Sequence, residues 1–270
     1  MTGTPLFSVR GLRLSFPDRA RKPLIGAAPR VEVLKGLDFD IAEGRITGIV
    51  GESGSGKSTL GRVLVRLLRP DAGEVRFRDR EIASLDETAL RPLRRDLQMI
   101  FQDPMSALNP RHQVWQIIAQ PMRRFGLGGS RSDAEAALHR VGLPVDFATR
   151  YPHQLSGGQR QRIGIARAIA LNPRFILADE IVSGLDVSSQ AHVLDLLQGL
   201  AREMGLTVAF ISHDLSVIRH LCDDVIVLDH GVIVDSGPVA QVFDTPGSQV
   251  TRSLLSAIPL PEIDAGWFDR

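Results

Sequence analysis

Residues 5–16 alternate apolar and polar side chains in places, as a half-buried strand does. Residues 31–41 show a similar pattern, and Gly44 after them marks a turn. Residues 46–50 form a short apolar run rich in β-branched side chains, which predicts a strand buried on both faces. A glycine-rich turn over 51–56 separates that strand from apolar positions at helical spacing over 57–68, ending near Pro70. Residues 75–101 predict short strands around a polar helix. Residues 112–150 predict mostly helix, with breaks at Pro121, at 126–129 and at Pro144. Helix is again predicted over 159–170 and 185–204, and short apolar strands over 175–178 and 208–211. Pro, Arg, Ala and Gly mark residues 17–29 as a loop, and from about Gln241 the chain reads as a Pro-punctuated tail. The alternation of strand and helix predicts an α/β fold, a parallel sheet with helices on both faces.

Composition narrows the function classes. The 270 residues allow one domain or two small ones, and 43% apolar residues are enough for a sizeable core. Lys and Arg number 32 against 31 Asp and Glu, a net charge of +1. Such a balance argues against a dedicated nucleic-acid binder, which shows a basic excess. A lone cysteine, Cys222, excludes an intrachain disulfide framework and reads as a buried thiol. The histidines other than His213 are scattered without metal-ligand spacing. No apolar run approaches the ~20 residues that span a bilayer, and residues 1–10 lack the layout of a signal peptide. A soluble, cytosolic chain is expected, unless a partner holds it at a membrane.

The chemistry is concentrated in a few short segments. Gly51-Glu-Ser-Gly-Ser-Gly-Lys-Ser58 fits G-x-x-x-x-G-K-[ST], the phosphate-binding loop. Glycines let successive N–H groups turn inward as an anion nest, and the helix after them adds its positive N-terminus. Lys57 supplies a charge for the β- and γ-phosphates, and Ser58 a hydroxyl for Mg2+. A chance match of four fixed positions is expected in about one chain of this length in a hundred. This match also sits between a buried-strand pattern and a helix, where the mechanism needs it. Phe175-Ile-Leu-Ala-Asp179-Glu180 is an apolar strand ending in two acids. Asp179 is the candidate Mg2+ ligand, and Glu180 the candidate that polarises the attacking water.

Leu155-Ser-Gly-Gly-Gln159, followed by Arg160-Gln-Arg-Ile-Gly-Ile-Ala-Arg-Ala, makes the chain resemble the ATP-binding cassette (ABC) ATPases. The resemblance implies a RecA-like parallel-sheet core with an N-terminal antiparallel β subdomain and an inserted α-helical subdomain. It implies an ATP-binding site built from Gly51, Ser53, Gly54, Ser55, Gly56, Lys57, Ser58 and Thr59. Ser156, Gly157, Gly158 and Gln159 then face the γ-phosphate of ATP held by a second subunit. Gln102 matches the residue that senses Mg2+ and the γ-phosphate, Asp186 the loop that crosses the dimer interface, and His213 the histidine that contacts the γ-phosphate. Phe16 is either the aromatic that stacks on adenine or an ordinary core phenylalanine.

Phe101-Gln-Asp-Pro-Met-Ser-Ala-Leu-Asn-Pro-Arg111, the tail from Thr251 to Pro259 and the long loop after residue 16 narrow the resemblance to the ATPase subunits of oligopeptide, dipeptide and nickel importers. That implies an ATPase with ATP and Mg2+ as cofactors, two membrane-spanning permease subunits and a second ABC ATPase, either a paralogue or another copy. It also implies an extracytoplasmic solute-binding protein, and a place at the cytoplasmic face of the inner membrane. Residues 1–240 are expected as the nucleotide-binding domain, with its helical subdomain at about 103–165, and residues 241–270 as a C-terminal tail. The family usually has Asp-Glu-Pro-Thr where this chain has Asp179-Glu-Ile-Val182. Both acids are spared, so the change bears on backbone shape after Glu180. The tail also lacks the usual Pro-Tyr before Thr251 and has no C-terminal cysteine group for an iron–sulfur cluster. The competing readings are a soluble ABC ATPase not tied to transport and a non-catalytic ATP-binding subunit.

Overall fold

The computed structural model describes residues 5–21 and 26–257. Residues 22–25 of the predicted loop and the end of the predicted tail, 258–270, lie outside the described residues. Two long strands, β1 (Pro5–Pro17) and β2 (Arg30–Ala42), open the chain as an antiparallel pair. Strand β3 (Ile46–Val50) leads through the glycine-rich turn into α1 (Lys57–Leu64). Strands β4 (Ala72–Phe77) and β5 (Arg80–Glu81), the short helix α2 (Glu87–Leu90) and β6 (Leu97–Ile100) follow. Helices α3 (Pro104–Ala107), α4 (Val114–Arg124), α5 (Arg131–Arg140) and α6 (Gly157–Ile169) then run without an intervening strand. Strand β7 (Phe175–Asp179), helix α7 (Val187–Met204), β8 (Thr207–Ile211), α8 (Leu215–Leu221) and β9 (Asp224–Asp229) alternate. Strand β10 (Val232–Pro238) and helices α9 (Val239–Asp244) and α10 (Gln249–Ser256) close the described chain.

Two sheets result. One is antiparallel, in the order β2-β1-β4-β5; the other runs β10-β9-β3-β8-β7-β6 and is parallel except for its edge strand β10. The parallel strands are apolar at nearly every position because both faces are covered. Their alternating side chains divide between two cores. Ile176 and Ala178 of β7 join Val208 and Phe210 of β8 beneath α4–α8. Phe175 and Leu177 join Ala209 and Ile211 on the other face, against α1 and the antiparallel sheet. The strand C-termini therefore emerge from a rigid, doubly buried platform, and in open α/β sheets that edge is where ligands bind.

The structure corrects three expectations. Helix α1 ends at Leu64, four residues early, because Arg66 adopts a positive φ of 53° and the amides of Leu67 and Leu68 turn back to the carbonyl of Arg62. Pro121 does not break the helix: it lies inside α4, which runs to Arg124. So close to the C-terminus, a proline removes one intrahelical bond without leaving a long segment beyond it. The stop comes instead at Gly126, whose φ is +68°. The tail from Gln241 is not irregular as far as it is described, since α9 and α10 occupy most of it. The amide of Ser248 donates to Asp235 at 2.9 Å, and the buried Thr251 hydroxyl donates to the same carboxylate, which pins α10 to β10.

Candidate active site

The glycine-rich loop joins the end of β3 to α1, and its shape is enforced from outside. A Cβ on Gly51 (φ +146°) would stand 2.0 Å from the carbonyl oxygen of Leu228, so only glycine fits. Gly56 (φ +107°) is the N-cap of α1 and offers no side chain to bond the first-turn amides. Those amides are left to an anion, with the helix dipole behind them. By contrast, α6, α7 and α8 are each capped by their own Ser156, Asp186 and Asp214. The amide of Gly231 donates to the carbonyl of Ser55 at 3.1 Å, which braces the loop from the turn after β9. The Ser55 hydroxyl is buried and has no partner among the described residues.

Lys57 and the paired acids meet inside this curl. Lys57 Nζ donates to the carbonyls of Gly51 at 2.8 Å and Glu52 at 2.7 Å. Burial pushes its ammonium below the usual lysine range, against the pull of Glu180 and Asp179. Ser58 Oγ donates to Asp179 Oδ1 at 2.9 Å. Burial pushes the Asp179 carboxyl above the usual range, outweighing the Ser58 bond. Glu180 sits one residue past β7 at a φ of +49°, held by its amide, which donates to Ile211 of β8 at 3.1 Å. That conformation brings its carboxylate to two other residues. Gln102 Nε2 donates to Glu180 Oε2 at 2.8 Å, and His213 Nδ1 lies 3.8 Å from Oε1. Ile181 and Val182 are buried behind this turn.

A cavity of about 420 Å³ unites Ser53, Gly54, Lys57, Ser58, Glu180 and His213. Gly56 and Thr59 of the loop line it too, whereas Phe16 and the residues singled out at the starts of α6 and α7 lie outside it. Phe16, 37% exposed on β1, does not line this cavity, whereas Val33 of β2 does. Ser156 forms a reciprocal capping box with Gln159 at the start of α6: its hydroxyl accepts the Gln159 amide at 3.3 Å, and its own amide donates to Gln159 Oε1 at 2.9 Å. A Cβ on Gly158 would press on Ser189 of α7 at 3.2 Å. Asp186 accepts from the Ser188 and Ser189 hydroxyls and the Ser189 amide, and these bonds hold its carboxyl far below the usual range. None of these α6 and α7 residues lines the cavity. Val33, Leu228 and Gly231 were not anticipated. They reach the loop through long-range pairing, so no local pattern marks them.

The oxygen donors of Ser58 and Asp179 suit a hard divalent cation. Among the described residues no helix is long and apolar enough to cross a membrane. The family profile described as ABC transporter matches residues 34–183. A Brucella ovis protein assigned by name alone to peptide import, as its ATP-binding protein, is 46% identical over 268 residues, 98% of this chain and 82% of that protein. The glutathione import ATP-binding protein of Salmonella paratyphi A is 47% identical over 264 residues. This match takes in 96% of this chain but only 42% of that protein. Among solved structures, a dimeric ATP-binding cassette in a post-hydrolysis state with ADP and Pi superposes with a TM-score of 0.74 at 30% identity, over 86% of this chain and 98% of that one. A Clostridium perfringens subunit of an ABC transporter complex gives a TM-score of 0.76 at 26% identity, over 95% and 96%.

Proposed function

The chain belongs to the ABC transporter family as an importer-type ATPase, and from that premise we propose how its residues bind and cleave ATP and what the assembly moves. The observation that supports the reading most is the meeting of the glycine-rich loop, Lys57, Glu180 and His213 around one cavity, with Gln102 bonded to Glu180. The loop amides from Gly51 to Thr59 and the N-terminus of α1 receive the phosphates, and Lys57 neutralises the outer two. Ser58 and Asp179, with Gln102, are the residues that hold Mg2+, which when bound neutralises charge developing on the phosphates. Glu180 takes the role of base, accepting a proton from the water that attacks the γ-phosphorus while the bond to the β-phosphate oxygen breaks. Its carboxylate is already oriented by Gln102. His213 steadies the γ-phosphate, and Phe16 stacks on adenine.

Ser156–Gln159 and Asp186 act on a second chain's ATP. They sit on capped helix starts away from this chain's own cavity, so two cassettes closing face to face supply each other's missing surface. The second cassette is another copy or a paralogue. In this reading residues 1–240 are the nucleotide-binding domain and about 103–165 its helical subdomain, which receives two membrane-spanning permease subunits. The chain is then peripheral at the cytoplasmic face of the membrane, and a solute-binding protein outside delivers the cargo. A short peptide is the cargo that best fits the kinship with peptide and glutathione import proteins.

Affinity purification of the tagged chain from its own membranes tests this assembly. Two multi-span proteins and a second cassette are expected to co-purify, with a solute-binding protein from the same system. Recovery of soluble partners alone would overturn the importer reading.

A further inference from the structure

A second groove, of about 760 Å³, opens between the β6 edge of the parallel sheet and helix α4, and Leu97, Phe101, Pro121, Arg124 and Arg167 line it. Arg167 stands apart from the other arginines there. Its side chain is partly buried, and burial pushes its guanidinium below the usual range with no carboxylate among the described residues to offset the cost. Its hydrogen bond runs from Nη1 to the carbonyl of Ala107 at 2.6 Å. Ala107 is the last residue of α3. The start of α3 is fixed by Asp103, which accepts the amides of Met105 at 2.8 Å and Ser106 at 3.2 Å. Asp103 directly follows Gln102, the residue bonded to Glu180. At the other end, Arg167 belongs to α6, whose first turn is Ser156–Gln159.

We propose that Arg167 is a positioning residue that registers helix α6, and with it Ser156–Gln159, against the short segment carrying Gln102. A partly buried cation whose hydrogen-bond partner among the described residues is one carbonyl is an expensive way to hold two elements together if packing alone were needed. Its planar fork fixes direction as well as distance, and the donors beyond Nη1 remain for an acceptor brought into the groove by a bound partner. Arg167 thereby joins three places: the groove, the glutamine on the base, and the helix start that meets the other cassette. The roles of Gln102 and Ser156 rest on the proposed function; the mechanical link does not.

The test uses the full chain with Arg167→Met and Arg167→Lys. Amide hydrogen exchange over residues 103–108 is expected to speed up in Arg167→Met, while residues 51–59 keep the wild-type rate. ATP affinity should stay within about twofold, because Arg167 does not touch the phosphate loop, while kcat falls about tenfold or more as the catalytic groups lose register. Arg167→Lys keeps a donor for Ala107 but not the fork, so it should recover part of kcat. Unchanged exchange over 103–108 would overturn the proposal, as would ATP affinity and kcat falling together in proportion to the folded fraction. A wild-type chain without ATP turnover would contradict the proposed function instead, and the exchange measurement would still decide the role of Arg167.

Discussion

Asp179 shows how a single residue trades stability for function. Its carboxyl is buried and its pKa raised, so the native state disfavours the charged form that cation binding needs. The sign of the linkage follows: with the native pKa above the unfolded value, the contribution of Asp179 is most favourable at low pH and is lost as pH rises through the native pKa. At neutral pH the charged side chain costs stability. Asp179→Asn keeps an acceptor for Ser58 without that charge. The nucleotide-free variant should therefore melt no lower than wild type, while the rise in melting temperature produced by ATP with Mg2+ shrinks. Thermal melts with and without ligand check this; a variant that melts well below wild type yet keeps the full ligand-induced rise would contradict it. The identity of Asp179, Glu180, Lys57 and Ser58 was legible in the sequence because each follows a strand or turn pattern within a few residues. The positive φ of Glu180 and the bond from Gln102, 78 residues away, were not, since they arise only when β6, β7 and β8 align.

At the scale of elements, the parallel strands β3, β7 and β8 were the most readable part of the fold, whereas β9 was not anticipated. Their apolar runs are short, uninterrupted and flanked by turn residues, and β3 spans residues 46–50 as expected. Boundaries decided by single backbone conformations were less readable, as at Arg66 after α1 and at Pro121 within α4. The tail was misjudged for a different reason. Pro246 punctuates it and Pro238 precedes it, yet each lies outside a helix, where proline is tolerated. Helix α10 depends on Asp235, whose carboxyl is held below the usual range: burial pushes it up, but the bonds from Thr251 and from Ser248 outweigh that. A depressed native pKa means that this support is complete above the unfolded carboxylate value and is lost as pH falls through the lower native one. Acidification to just below ordinary carboxylate pKa values should leave α10 docked. Asp235→Ala should release it at neutral pH, seen as faster amide exchange over residues 249–256, with ATP binding unchanged. Equal protection of that helix in variant and wild type would show that other contacts hold it.

At the scale of the whole molecule, the residues singled out by their motifs fall into two groups that the described chain keeps apart. The cavity carries the phosphate loop, Glu180 and His213, while the start of α6 and Asp186 lie outside it. The family resemblance implies that the Leu155–Gln159 segment faces a nucleotide held by a second chain, and the proposed function carries that reading forward. Composition and periodicity alone implied nothing about it. One solved dimeric cassette, 30% identical to this chain, holds ADP and Pi. The central claim is that this chain hydrolyses ATP with Glu180 as the base. The most direct measurement is steady-state ATP turnover by purified wild type and Glu180→Gln, with ATP affinity measured in parallel. A positioned base is worth ~10²–10⁴ in rate, so turnover should fall by at least about a hundredfold while ATP affinity is retained. Near-normal turnover by Glu180→Gln would contradict the account.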